Sequence, residues 1–184
     1  MSRIGKKPIK IPKGVTVEIN DSVVKVKGPK GELIQNIHPH VKVAKDGDEF
    51  LRIFVKNSNQ KDDRALWGLF GALIKNMIEG VVKGFEKKLE FHGVGFKVAV
   101  AGNKMTLNVG FSHPVEFTIP QGIEAKVEKN VITIFGIDKQ LVGETAAQVK
   151  RVKKVEPYKG KGIRYTDEVV RRKAGKVVKT AEGA

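Results

Sequence analysis

Between Gly14 and Gly28 apolar and polar residues alternate: Val15, Val17 and Ile19, then Val24 and Val26 beyond Asn20-Asp21-Ser22. A period of two is the pattern of a half-buried strand, and the Asn-Asp-Ser run supplies turn chemistry between two of them. Further short strands are predicted at Leu33 to Ile37, Val41 to Ala44 and Phe50 to Val55, with Lys45-Asp46-Gly47-Asp48 as the hairpin turn between the last two. From Asn59 to about Val81 the period changes. Leu66, Leu69, Phe70, Leu73, Ile74, Met77, Ile78 and Val81 follow the i, i+3, i+4 spacing of an amphipathic helix. Asn57, Ser58 or Asn59 can cap its start, Asp62 and Asp63 suit its dipole, and Gly80 or Gly84 can end it. Alternation then returns through Val94, Phe96, Val98 and Val100, turns at Gly102-Asn103, and resumes through Met105, Leu107, Val109 and Phe111, which predicts a hairpin.

The opening pattern then recurs. Ile119-Pro120-Gln121-Gly122-Ile123 matches Ile11-Pro12-Lys13-Gly14-Val15 at a constant offset of 108 residues. At that offset Val17, Ile19, Val23, Val24, Val26 and Gly28 fall on Ala125, Val127, Val131, Ile132, Ile134 and Gly136. A helical segment follows in both copies, here through Leu141, Val142, Thr145, Ala146, Val149 and Val152. Strands precede each helix, so the expected fold class is α+β: two tandem, similar domains, each a mainly antiparallel sheet packed with one helix. The expected division is a basic leader at 1–13, a first repeat domain at 14–82, a second at 83–156 and a basic C-terminal extension at 157–184.

The distribution of charge narrows the class of partner. The chain of 184 residues carries a formal net charge of +15. Residues 1–13 contribute five cations and no acid, residues 148–179 a net +9, and the long middle from 14 to 147 only +2. A nearly neutral body has basic ends, which implies a polyanionic partner. With no cysteine there are no disulfides or thiolate metal sites, and a reducing compartment is allowed. The leader lacks the apolar run of a signal peptide, and the longest apolar stretch, Ala65 to Ile74, is too short to span a bilayer. The expected setting is intracellular, without a membrane partner.

Signals for catalysis are poor. His38-Pro39-His40 has no carboxylate or further histidine at ligand spacing nearby, and reads as a pair of turn histidines. Gly93-Val94-Gly95 lies in a strand pattern and lacks the third glycine of a dinucleotide loop. Gly160-Lys161-Gly162 has no Ser or Thr after the lysine, so it is no phosphate loop of the nucleotide hydrolases. No cofactor, metal or small-molecule substrate is expected.

The specific signal is the C-terminal segment, which contains almost nothing apolar to bury. Lys150, Arg151, Lys153 and Lys154 turn the end of the second helix basic, and Lys159, Lys161, Arg164, Arg171, Arg172, Lys173 and Lys176 continue the charge. Such cations neutralise phosphates and release counterions. Tyr158 and Tyr165 offer faces for unpaired bases, and Gly160 and Gly162 let a backbone approach closely. Without a recognition-helix or zinc-finger motif, RNA fits better than DNA. A transient nucleic-acid chaperone and an RNA-modifying enzyme are the competing classes, the latter lacking any visible acid–base pair.

Glu156-Pro157-Tyr158-Lys159-Gly160-Lys161-Gly162-Ile163, the leader Ser2-Arg3-Ile4-Gly5-Lys6-Lys7-Pro8-Ile9 and the duplicated Ile-Pro-x-Gly strands resemble the family of bacterial-type ribosomal protein six of the large subunit. The resemblance covers the whole chain. It implies a structural, cytoplasmic constituent of the large ribosomal subunit that binds 23S ribosomal RNA, chiefly through the C-terminal half. It also implies a place near the stalk base and the sarcin–ricin loop, among neighbouring large-subunit proteins.

Overall fold

The structure is a computed structural model and describes residues 7–20, 22–47 and 49–175. The chain divides into two compact units. One runs up to Phe85 and takes in Gly136–Val142; the other holds Glu86–Phe135 and the chain from Gly143 onward.

In the first unit, β1 (Ile9–Lys10), β2 (Thr16–Asn20), β3 (Val23–Gly28), β4 (Gly31–Asn36), β5 (Val41–Asp46) and β6 (Phe50–Val55) precede α1 (Lys61–Val82). β2, β3 and β4 form an antiparallel meander, and β1, β6 and β5 a second three-stranded antiparallel sheet. The alternation read from sequence puts Val17, Val24 and Val26 of one sheet, and Leu51 and Ile53 of the other, into a core shared with Phe70, Ile74, Ile78 and Val81 of α1. α1 is long and apolar enough by composition to cross a membrane, but its apolar stripe is used here as the core of the unit. The glycine that closes β3 has a packing reason: a Cβ on Gly28 would stand 2.7 Å from Val81 Cγ2 and 3.0 Å from the Val81 carbonyl.

The start of the helix differs from the sequence reading, whereas its end falls at one of the two glycines expected. The N-cap is Gln60, with no side-chain cap. Asn57 Oδ1 instead accepts from the Asn59 N–H at 3.2 Å. At the other end Lys83 is the C-cap, and Gly84, at φ 77°, donates its N–H to the Gly80 carbonyl at 2.9 Å. Gly84 is therefore the left-handed terminator, for which glycine pays no Cβ penalty.

In the second half, β7 (Phe85–His92), β8 (Lys97–Ala101), β9 (Lys104–Asn108), β10 (Val115–Thr118), β11 (Ile123–Glu128) and β12 (Val131–Gly136) precede α2 (Lys139–Val152), and β13 (Gly162–Tyr165) follows it. β10, β9 and β8 form an antiparallel sheet; β11, β12, β7 and β13 form the other. Leu89, Met105, Leu107, Ile132, Ile134, Ala146, Val149 and Ile163 are completely buried. The fold is α+β with one helix per repeat, as the patterning predicts, and the strands of each unit divide between two sheets.

Three segments depart from the sequence reading. β7, with only Leu89 and Phe91 alternating inward, gives too short a periodic signal to stand out. Val94 does not continue a strand but sits in a turn, 91% exposed. There the Phe96 N–H reaches the Gly93 carbonyl at 3.4 Å, and Gly95 adopts φ 76°. A positive φ at the third residue is what a type II turn demands, and it breaks the alternation. Lastly, the C-terminal segment, expected to have almost nothing apolar to bury, contains β13. Its Ile163 lies opposite Phe91 of β7 and has no exposed surface.

Candidate nucleic-acid interface

α2 delivers Lys150 and Arg151 in its last turn, where cations suit the helix dipole. Pro157 follows, and the chain loops back: the Glu156 N–H bonds the Lys161 carbonyl at 2.8 Å, and the Gly160 N–H bonds the Glu156 carbonyl at 3.1 Å. The loop thus has its own backbone hydrogen bonds and presents Tyr158, Lys159 and Lys161 as exposed side chains. A further bond from the Lys173 N–H to the Pro157 carbonyl, 2.8 Å long, ties the later segment to the loop base. Arg151, Lys154, Arg171, Arg172 and Lys173 are exposed as well, whereas Lys176 lies outside the described residues.

Other residues of the predicted interface are engaged within the protein. Gly162 is buried at φ 142°, where a Cβ would stand 2.7 Å from both the Lys154 carbonyl oxygen and Val155 Cα. Gly160, also buried, has φ 72°, with the Arg172 guanidinium 3.0 Å from the place of a Cβ. Both glycines accommodate this chain's own atoms, which is sufficient reason for their presence without any nucleic acid. Arg164 donates to Glu90 Oε2 at 3.2 Å across the β7–β13 pair, and His92 Nε2 lies 3.1 Å from the same oxygen. Those two bonds, that of His92 first, hold the Glu90 carboxyl below the usual glutamate range. Lys150 donates to both oxygens of Glu168, at 2.7 and 2.6 Å, and this keeps the Glu168 carboxyl low. Its ammonium also lies 4.8 Å from the centroid of the Tyr165 ring, and Lys87 approaches the same ring at 5.6 Å. Lys150, Arg164 and Tyr165 are thus half-buried groups that fasten β13 and its exit turn.

Next to the basic loop opens a groove of about 600 Å³ that the sequence reading missed. Its apolar side comprises Val94, Phe96 and Phe111, and its polar side Lys153, Lys154, Lys161 and Glu156. Phe111 is 45% exposed. It does not end a strand, because Gly110 adopts φ 77° just after β9 and turns the chain. The Lys153 ammonium sits 4.4 Å from the Phe111 centroid, a contact worth about 0.5–1 kcal/mol at an exposed site. The available signal was a pair of glycine-flanked apolar residues, Val94 and Phe111, which strand periodicity absorbed.

In the first unit Lys7, Lys10 and Lys13 of the leader are exposed, while Arg3 and Lys6 lie outside the described residues. His38 and His40 meet edge to face with centroids 5.1 Å apart. His40 Nδ1 pairs with Asp63 Oδ1 at 2.9 Å, and the Asn57 N–H donates to Asp63 Oδ2 at 2.8 Å. Asp63 is nearly inaccessible, so its first role is to tie the approach to α1 rather than to serve the dipole. The histidine bond is the main cause of its lowered pKa. Among the described residues no group of three or more His, Cys, Asp or Glu could hold a metal ion.

A family profile described as Ribosomal protein L6 matches residues 11–84 and, a second time, 92–166. The large ribosomal subunit protein uL6 of Carboxydothermus hydrogenoformans is 52% identical over 177 residues, covering 96% of each chain. That of Maridesulfovibrio salexigens is 56% identical over 179 residues, 96% of this chain and 98% of its own. That of Gloeothece citriformis is 55% identical over 180 residues, 97% of this chain and 99% of its own.

Proposed function

The chain belongs to the ribosomal protein L6 family, and from that premise we propose that it is a structural component of the cytoplasmic large ribosomal subunit, binding 23S ribosomal RNA through its second unit. Its partners would be that RNA and the large-subunit proteins around it, near the stalk base and the sarcin–ricin loop, as the resemblance implies. It works by holding folded RNA in place rather than by catalysis.

The observation that supports RNA binding most directly is the concentration of exposed cations on one short stretch. Arg151, Lys154, Lys159, Lys161, Arg171, Arg172 and Lys173 all reach solvent, with the exposed Tyr158 among them. They follow a helix end and a hydrogen-bonded loop, so part of the ordering entropy is already met before RNA arrives. Lys150, Arg164, Gly160 and Gly162 support that surface from within, and Tyr165 belongs with them. Lys176 is proposed to extend the basic stretch.

The test is titration of 23S RNA with the full chain at several salt concentrations. A chain truncated after Glu168 keeps β13 and loses Arg171, Arg172, Lys173 and Lys176. The variants K159Q and K161Q remove one loop cation each. Each lost phosphate contact is expected to make the negative slope of log K against log salt shallower by about 0.7–0.9. Unchanged affinity and slope in all three would refute the assignment of the interface.

A further inference from the structure

We infer that the groove between Phe111 and the Lys153–Lys161 side of the basic loop is a receptor for a single unstacked RNA base, with the flanking phosphates held by Lys153, Lys154 and Lys161. This rests on the RNA-binding reading and specifies where a base, rather than backbone alone, is held.

Three features of the groove agree on this occupant. It has an aromatic floor at solvent, since Phe111 is 45% exposed although its ring is large and apolar. Its polar side is cationic, with three lysines against the one carboxylate of Glu156. Val94 stands at its edge, 91% exposed on a turn that Gly95 fixes by its φ of 76°. An acidic peptide would use the lysines and leave the ring idle, and an apolar segment would bury the ammonium groups unpaired. A nucleotide carries both a π-face and a phosphate, and aromatic platforms beside cations are the general device for holding bases freed from a helix. In a continuous A-form helix both faces of a base are covered, so the occupant comes from a loop, bulge or strand end.

Lys153 gives the groove a mechanism of exchange. Its ammonium now lies 4.4 Å from the ring centroid of Phe111. A base stacking on that face displaces the ammonium, which swings to the phosphate beside it. The ring is thereby kept partly covered until the RNA arrives.

The test uses 23S ribosomal RNA as the probe and three variants of the full chain. F111A and F111L should each weaken binding by about ten-fold or more while leaving the salt slope unchanged, because no phosphate contact is lost. F111L keeps an apolar side chain at the site, so its weakening separates stacking from packing. F111W should bind like the unaltered chain, and its added indole fluorescence, above the Trp67 background, should be quenched over the same RNA concentrations as binding. Native affinity in F111L, or an unquenched indole in bound F111W, would overturn the inference and leave the proposed function standing. No binding by the unaltered chain would overturn both.

Discussion

Replacing Gly162 by alanine tests whether the C-terminal segment is part of the second unit's fold. At φ 142° an L-residue is strained by about 1–3 kcal/mol. The new Cβ would also stand 2.7 Å from the Lys154 carbonyl oxygen and from Val155 Cα. Both are backbone atoms that cannot swing aside, which adds about 1–3 kcal/mol of overpacking. The total of roughly 2–6 kcal/mol is a large share of a domain's 5–15 kcal/mol. For a unit of this size G162A should lower the melting temperature by about 8 °C or more. Calorimetry measures the shift, and amide exchange locates it: protection should fall along Gly162–Tyr165 and at the paired β7 residues, leaving α1 unaffected. G160A is the matched control. There the Cβ meets the movable end of the Arg172 side chain, so the remaining cost is about 1–2 kcal/mol for a left-handed residue. A melt of G162A within about 2 °C of the unaltered chain, or equal to that of G160A with exchange unchanged, would show that the C-terminal segment is not part of the second unit's fold.

Two more outcomes follow from particular contacts. Asp63 has its pKa lowered in the folded state, chiefly by His40. Its stabilising effect is therefore complete above the unfolded value of about 3.9 and is lost as pH falls through the folded value. Trp67, the sole tryptophan, donates to the Ile53 carbonyl at 2.8 Å and reports on the first unit. Urea midpoints followed by its fluorescence should fall between pH 5 and pH 3, and less steeply in D63N; an identical slope in D63N would discard the pairing as the cause. K150M should cost the second unit roughly 1–2 kcal/mol through loss of the charged bonds to Glu168, without altering the salt slope of 23S RNA binding. A changed slope with native stability would mean that Lys150 faces RNA instead.

The glycines mark the boundary of what residue types can convey. Gly160 and Gly162 read from sequence as gaps through which RNA could approach, and the structure fills both with the protein's own atoms. The reason is that glycine records only that something comes close, not what. Tyr165 and Lys150 show the same limit: an aromatic ring and a cation look alike in a sequence whether they meet a nucleotide or each other, and here they lie 4.8 Å apart.

The repeat, the α+β class, the long helix and the location of the excess charge are all legible in the residues alone. These depend on local period and on composition, which need no knowledge of distant partners. Tertiary structure decided the rest. A four-residue strand such as β13 has too few positions to show a period, and it exists because β7, some seventy residues earlier in the chain, offers an edge. Phe111 and Val94 left the strands because Gly110 and Gly95 adopt positive φ, and only that turning brings their apolar surfaces to one groove with Lys153, Lys154 and Lys161. The tail is thus partly a basic surface and partly the edge of a sheet, and the division between them was set by which side chains found partners within the fold.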